Sequence, residues 1–306
     1  MTLIRPDTTH PWLCVLASGS SGNCSVMLWP TPTGHRAALI DMGLSPRRTS
    51  RLLAMLGLDL SDITDTFLTH LDTDHLHAGW IASPHLRAPL RLHKRHIKRA
   101  VRQGFATRRT EPFEHELALP GLTMRAALGS HDELGVCAFR FCFERVAPGA
   151  SSGTSTHRAE LGFATDVGRM TQPLIDHLAG VDVLAIESNY CPALELASDR
   201  PEYLKRRIMG GSGHLSNAEC AEATRTISPR SHVVLIHLSR QCNHPDLALK
   251  EHAGAPYAVT ISTANTPTRP IHIPLVDRGE ACGVPAIARL HTRPVQHLLF
   301  ATEASA

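Results

Sequence analysis

Residues 70–75 read His70-Leu71-Asp72-Thr73-Asp74-His75, directly after the strand-like run Thr66-Phe67-Leu68-Thr69. Two imidazoles and two carboxylates thus gather in one short stretch at the end of an expected buried strand. A strand end fixes the backbone, and the turn after it swings several side chains toward one point. Imidazole and carboxylate together suit divalent first-row metals, so the stretch points to a metal site. Further ligands must come from other elements.

The ends of other apolar runs supply candidates. Leu161-Gly162-Phe163-Ala164-Thr165 leads into Asp166, with Gly168 close behind. Val233-Val234-Leu235-Ile236 leads into His237, and the turn Leu128-Gly129-Ser130 delivers His131 and Asp132. A layered sheet sets such residues along one rim. Taken singly, each His reads as an ordinary hydrogen-bonded residue and Asp166 as a turn or cap. Together they form a ligand set.

The positioning elements follow from periodicity. Strands are expected at Trp12–Leu16, Ser25–Trp29, Ala37–Ile40, Thr66–Thr69, Val136–Phe143, Leu161–Thr165, Val183–Glu187 and His232–Leu238. Helical patterns cover Pro46–Leu56, Met170–Ala179 and Ala218–Ile227, the last with Asn217 as N-cap. Strands first, then strand and helix alternating, indicate an α/β layered domain. The Gly- and Ser-rich stretch from Ala147 to Thr156 reads as a hairpin connection, not a domain boundary. The pattern weakens after Pro274, so residues 1–274 are expected to form one domain and 275–306 a peripheral extension.

Bulk properties narrow the class. A chain of 306 residues with 42% hydrophobic content buries a substantial core, and few aromatics imply a mainly aliphatic one. The net charge of +3 is too small to argue for a polyanionic partner. Its distribution says more: no Asp or Glu occurs from His75 to Thr110, where Arg87, Arg91, Lys94, Arg95, Lys98, Arg99, Arg102, Arg108 and Arg109 bunch together. That block reads either as a phosphate-binding field or as a solvated helix face. The 8 Cys lack any CxxC pair, and the N-terminal residues carry no signal-like pattern, so free thiols in a reducing cytoplasm are expected. No apolar run is long enough to cross a bilayer.

The order of these ligand-bearing elements resembles the metallo-β-lactamase superfamily, whose fold is a four-layer αββα sandwich. The resemblance runs from about Leu16 to Asn265 and is closer to the bacterial WalJ/YycJ-like branch. It is carried by Leu16-Ala17-Ser18-Gly19-Ser20-Ser21-Gly22-Asn23, Leu39-Ile40-Asp41-Met42-Gly43-Leu44-Ser45 and Glu187-Ser188-Asn189. Gly213-His214-Leu215-Ser216-Asn217 and His237-Leu238-Ser239-Arg240-Gln241-Cys242-Asn243 extend it. Residues 70–75 resemble the HxHxDH signature, and His131, Asp166 and His237 fall where that fold has its later ligands. The resemblance implies a metal-dependent nuclease of 5′-to-3′ exonuclease character, acting on DNA or RNA.

The implied site holds two divalent ions, Zn²⁺ or Mn²⁺. His70, Asp72 and His131 take one; Asp74, His75 and His237 take the other; Asp166 bridges. A shared hydroxide then attacks phosphorus, with Asp74 and His214 as catalytic residues. His214, Ser216 and Asn217 would contact substrate at a helix N-terminus, and Lys205, Arg206 and Arg207 would hold backbone phosphates. Asp132 would orient a ligand His, and Asp41 would support the ligand loop. The turn at Ser18–Asn23 reads as a tight hairpin or as part of the floor. One departure stands out: Asp72 occupies the signature's second His position. As a ligand it favours harder ions such as Mn²⁺; pointing away, it leaves one site weak. A small-molecule hydrolase (thioester, lactone, β-lactam or cyclic nucleotide) and a non-enzymatic metal protein remain the alternatives, because fold does not fix substrate.

Overall fold

A computed structural model describes residues 8–85, 87–146 and 156–277. The first sheet contains β1 (Trp12–Ala17), β2 (Cys24–Thr31), β3 (Gly34–Ile40), β4 (Ile63–Leu68), β5 (Leu90–His93) and β6 (Thr110–Phe113) side by side. The second contains β7 (Glu116–Leu119), β8 (Leu122–Gly129), β9 (Val136–Val146), β10 (Thr156–Ala164), β11 (Val183–Glu187), β12 (His232–Ile236) and β13 (Ala258–Ile261) in the same manner. β14 (Ile271–His272) joins the edge at β1, and β15 (Val276–Asp277) pairs with the start of β10. The extension expected beyond residue 274 lies, from residue 278 onward, outside the described residues. So does the 147–155 connection, although the strands it joins pair antiparallel as a hairpin.

Each sheet is half antiparallel and half parallel. β1 to β3 form an antiparallel meander and β3 to β6 run parallel. β7 to β10 are antiparallel and β10 to β13 parallel. The parallel strands β11 and β12 are almost uninterrupted Val, Leu and Ile because both their faces are covered. The register sends the C-terminal ends of β3 and β4 to one rim. It does the same for β8, β10, β11 and β12.

Side-chain alternation divides the interior into three layers. Leu13, Val15, Met27, Ile40 and Leu161 pack between the sheets with Phe67, Phe113, Phe139, Phe141, Phe143 and Phe163. Aliphatic residues fill all three layers, as composition led us to expect. Phenylalanine concentrates in the middle one, where Phe67 and Phe141 meet edge to face at 5.2 Å. On the first sheet's outer face, α1 (Pro46–Ala54) and α2 (Ile97–Arg102) bring Leu52, Leu53 and Ala100 onto Leu16, Leu39 and Leu92. On the second, α3 (Gln172–Leu178), α6 (Asn217–Ile227) and α7 (Pro245–Lys250) bring Leu174, Leu178, Cys220, Ile227 and Ala248 onto Ala164, Ile186 and Leu235. The result is the αββα sandwich. Two short helices, α4 (Pro192–Ala197) and α5 (Glu202–Arg207), sit apart around Tyr190, Ile208 and Cys242. The N-cap of α6 is Ser216, not Asn217. Its hydroxyl accepts from Glu219 N while the Glu219 carboxylate accepts from Ser216 N, closing a capping box. The seven described cysteines are free thiols. No helix among the described residues is long and apolar enough to cross a membrane.

One buried ion cluster holds the strand that leads into residues 70–75. Asp65 of β4 is fully buried and accepts from Arg36 of β3 (3.1 and 2.7 Å), Arg91 of β5 (3.0 and 2.9 Å) and the Thr64 hydroxyl. It therefore ties β4 to both neighbours. Asp65→Ala would strand two guanidinium groups against the sheet, and we expect it to cost about 3 kcal/mol in urea unfolding. A loss below about 1 kcal/mol would show that the cluster does not hold β4.

Candidate metal centre

Strand ends at one rim deliver the polar residues. His70 follows β4 by two residues, His131 follows β8 by two, Asp166 follows β10 by two, Glu187 ends β11 and His237 follows β12 directly. Asp41, immediately after β3, has φ 60°; Asp166 has φ 53° and His237 φ 56°. A non-glycine residue in the left-handed region costs on the order of 1 kcal/mol, and Asp and His tolerate it better than most. The kink turns these side chains back across the strand ends, where hydrogen bonds offset the strain. Two glycines allow the loops to nest. A Cβ on Gly43 would lie 1.7 Å from Asp74 O, and one on Gly168 would lie 2.5 Å from the Ser212 backbone. The sheets are also stitched at the rim, by Cys137 N to Thr69 O (2.9 Å) and His237 N to the Ser18 hydroxyl (2.8 Å).

Two triads of donor atoms result. In the first, Asp72 Oδ2 lies 3.9 Å from His70 Nε2 and 3.4 Å from His131 Nε2. In the second, Asp74 Oδ2 lies 3.7 Å from both His75 Nε2 and His237 Nε2. Asp166 stands between them: its Oδ2 is 2.9 Å from His75 Nε2, and its Oδ1 is 3.0 Å from His237 Nδ1 and 3.1 Å from His214 Nδ1. Glu187 Oε1 lies 2.7 Å from His214 Nδ1 and 3.1 Å from His237 Nδ1.

These donors fit divalent cations. Separations of 3.7–3.9 Å are too long for hydrogen bonds. They approach the edge of a tetrahedron with arms of about 2.1 Å, which is about 3.4 Å. Four groups in this region place one donor atom from each of three or four residues within 4.8 Å of one another: His70, Asp72 and His131; Asp74, His75 and His237; His70, His75 and Asp166; and Asp166, Glu187, His214 and His237. His131 also buries its Nδ1 without a hydrogen-bond partner. Supporting groups orient the imidazoles: Asp41 Oδ2 lies 2.8 Å from His75 Nδ1, and the Thr69 hydroxyl bonds Asp41 and sits 3.0 Å from His70 Nδ1.

Burial opposes charge on every member, and the neighbours decide the outcome. For His75 burial works against the proton, but Asp41 and Asp166 outweigh it and hold the group well above the imidazole range. His237 rises to about 9 because Asp166 and Glu187 outweigh burial. Glu187 and Asp166 raise His214, and Asp72 raises His131, in each case against burial. His70 is pushed well down by burial and by His75 beside it. Against burial, His237, His75 and His214 hold Asp166 well below the carboxylate range, and His214 lowers Glu187. The His131 hydrogen bond lowers Asp72. Protons and divalent cations therefore compete for the same atoms.

The structure brings His70, Asp72, Asp74, His75, His131, Asp166, His214 and His237 together, but treats several expected contacts differently. Lys205 is buried, and its ammonium donates to Leu196 O (2.8 Å), closing the end of α4. Arg206 is exposed and bonds Glu202 O; neither lines the cavity above the centre. Ser216 and Glu219 satisfy one another at the start of α6, Asn217 N donates to Tyr190 O, and the Asn217 side chain is held by Ser188 and Asn243. The amides of Ser216, Asn217 and Glu219 at that helix end are therefore taken by protein groups. Asp132 orients no ligand His; it accepts from Leu134 N, Gly135 N and Arg99. The turn after β1 does shape the floor: Asn23 reaches Asp74 and His75, and Ser20 lines the cavity. The basic block is neither a free field nor a plain solvated face. Arg91 binds Asp65 and Glu111, Lys94 binds Glu114, Arg99 binds Asp72 and Asp132, and Arg109 binds Trp80 O.

Three residues at the site escaped sequence reasoning as site residues. Glu187 obeys the same strand-end rule as His237 and was identifiable by it. Arg99 was hidden in the basic block. Arg200 lines the cavity of about 400 Å³ and carries no sequence signal of its own, whereas Arg207, which also lines it, ends the cationic run that begins at Lys205.

Comparison with known proteins agrees with this architecture. A family model described as the beta-lactamase superfamily domain matches residues 36–238. The exodeoxyribonuclease WalJ of Streptococcus pneumoniae is 25% identical over 236 residues, covering 76% of this chain and 84% of that protein. The exodeoxyribonuclease YycJ of Bacillus anthracis is 25% identical over 242 residues with the same coverage. Among solved structures, the metallo-β-lactamase fold protein YhfI of Bacillus subtilis superposes with a TM-score of 0.59 at 14% identity, over 85% of this chain and 99% of that one. A match spanning most of the chain, on two sheets whose strand ends carry clustered His and Asp, makes the protein a member of the beta-lactamase superfamily with the metallo-β-lactamase fold.

Proposed function

We propose that this protein is a metal-dependent exonuclease that hydrolyses DNA from a 5′ end. The observation that carries the reading is the pair of donor triads joined by Asp166 under a cavity walled by Arg200 and Arg207. Two relatives named exodeoxyribonucleases, matched over 84% of their length, support it. The seven free thiols accord with a reducing cytoplasm.

His70, Asp72 and His131 would hold one divalent ion and Asp74, His75 and His237 the other, with Asp166 shared. When bound, the ions supply Lewis acidity and a water acidic enough to attack phosphorus near neutral pH. The mixed nitrogen and oxygen donors suit Zn²⁺ or Mn²⁺, and Asp72 favours Mn²⁺. Asp41 and Thr69 keep His75 and His70 turned so that each Nε2 faces the centre. Asp74, about a quarter exposed, accepts a hydrogen bond from the attacking water. His214 donates its Nδ1 proton to Glu187, leaving Nε2 to protonate the departing oxygen. Arg207 makes no hydrogen bond or ion pair among the described residues and is free to take a phosphate, whereas Arg200 is held by Glu195, Ser239 and Gln241.

Incubation with Mn²⁺ or Zn²⁺ and end-labelled oligonucleotides, beside nitrocefin and a thioester, tests the reading. Mononucleotide release that needs a free 5′ end is expected. Intact oligonucleotides under every metal, with nitrocefin or the thioester cleaved, would instead give the cavity to a small molecule. His214→Gln should lower kcat about 100-fold while both metal equivalents remain; loss of one equivalent would move His214 into the ligand set.

The pH dependence of the chelated protein has a definite sign. His237 has a folded value near 9, above the unfolded value of about 6.5. Its protonation stabilises the fold fully below about pH 6.5, and that contribution is lost as pH rises through 9. In EDTA the Tm should fall across this window, whereas the metal-loaded protein should hold it. A flat Tm in EDTA would contradict the pairing of His237 with Asp166 and Glu187.

A further inference from the structure

Arg99 lies at the centre of the basic block, yet its guanidinium points inward. One nitrogen donates to Asp72 Oδ1 at 2.8 Å and another to Asp132 Oδ2 at 2.6 Å. This occupies the half of the Asp72 carboxylate that does not face imidazole and leaves Oδ2 directed at His70 and His131. Asp132 is fixed in turn by the amides of Leu134 and Gly135. The rest of the element makes parallel contacts. Gln103 donates to Leu71 O (3.1 Å), Arg95 to Glu133 O (3.1 Å), and His96 Nε2 meets Gly135 O (2.9 Å).

The segment from Arg95 to Gln103 thus fastens two loops that come from different sheets. One follows β4 and carries His70 and Asp72; the other follows β8 and carries His131. These loops supply the whole first triad. The second triad is supported by other groups, Asp41 on His75 and Asn23 on Asp74 and His75, while the Thr69 hydroxyl stands beside His70. Asp72 is also the most exposed member of either triad, with a third of its side chain open to water. Nothing but Arg99 holds its outer oxygen among the described residues, so without that contact the carboxylate can rotate into solvent.

We propose that Arg99 is a positioning residue for the first triad, holding Asp72 in the orientation that lets it ligate a divalent cation and offsetting its charge. The centre of the basic block is then a clamp on the metal site, not a nucleic-acid surface. The inference rests on the metal reading given above.

Metal titration of the purified full-length protein, by calorimetry with Mn²⁺ and with Zn²⁺ and by elemental analysis, tests it without any assay of activity. Arg99→Met should keep one equivalent at wild-type affinity and bind the other about 10- to 100-fold more weakly. Arg99→Lys keeps the charge but lacks the planar fork that spans two carboxylates, and should fall between. Asp72→His alone leaves Arg99 held only by Asp132, with its charge no longer answered by Asp72 beside the first triad. The double variant Asp72→His/Arg99→Met should therefore bind the first equivalent more tightly than Asp72→His does, a rescue that a merely structural role would not produce. Far-UV circular dichroism and urea midpoints establish that each variant is folded, and Asp132→Asn reports on the same clamp if Arg99→Met is not. Two equivalents at wild-type affinity in folded Arg99→Met, or no rescue in the double variant, would overturn the inference while leaving the metal reading intact. Wild-type protein that takes up no divalent ion would overturn both.

Discussion

The structure depends on bringing carboxylates together away from water. Asp166 and Glu187 are almost fully buried at the rim, and Asp74 and Asp72 face the same point. Gathering negative charge in a site of low polarity is strongly unfavourable unless cations or hydrogen-bond donors answer it. Every peculiarity of the rim serves that requirement. The left-handed turns at Asp166 and His237 aim acid and imidazole at one another across a few ångströms. The Gly43 and Gly168 contacts let the loops come close enough for one carboxylate to face three imidazoles. A sheet that kept ordinary extended geometry to its last residue would scatter these groups along its edge.

The same requirement explains where the arginines go. A run of cations without acids looks, in one dimension, like a surface made for a polyanion. In three dimensions three of its members find acids from distant parts of the chain: Arg91 meets Asp65 and Glu111, Lys94 meets Glu114, and Arg99 meets Asp72 and Asp132. Charge patterning along a sequence describes neighbours in the chain, whereas electrostatic energy depends on neighbours in space. The cations that line the cavity are Arg200, itself held by Glu195, and Arg207, the last of the short run Lys205-Arg206-Arg207.

Much of the fold was legible because parallel, doubly covered strands leave continuous apolar runs. Val183–Glu187 is the same in the structure as in the sequence reading. The strands that escaped notice are short or interrupted, such as Leu90–His93, where Arg91 turns its charge into the Asp65 cluster and breaks the apolar run. The residues now clustered at the rim were legible for a related reason: a polar residue closing an apolar run has to point somewhere, and a rim gathers such residues. The expected contacts that failed all depended on side-chain direction. Lys205 closes α4, and Ser216 turns back to cap its own helix, choices that local hydrogen bonding makes and that residue type does not reveal. Asp132 was assigned by adjacency to His131, but its partner lies in α2.

Asp72 shows how these strands of reasoning combine. By formal charge, Asp72, Asp74, Asp166 and a hydroxide would balance two divalent ions, with Asp72 the extra acid in place of an imidazole. The structure adds one acid, Glu187, and one base, Arg99, that the sequence reading had not placed there. Asp132 shares Arg99 with Asp72, so Arg99 offsets only part of the charge that Asp72 brings, and the carboxylate offers a single oxygen to its imidazole neighbours. In the proposed metal site, preference for a harder ion would come from the identity of the donor atom, oxygen in place of nitrogen. An acid in that position is tolerable only where a cation is fixed behind it, and the helix that carries Arg99 is built into both loops that need it.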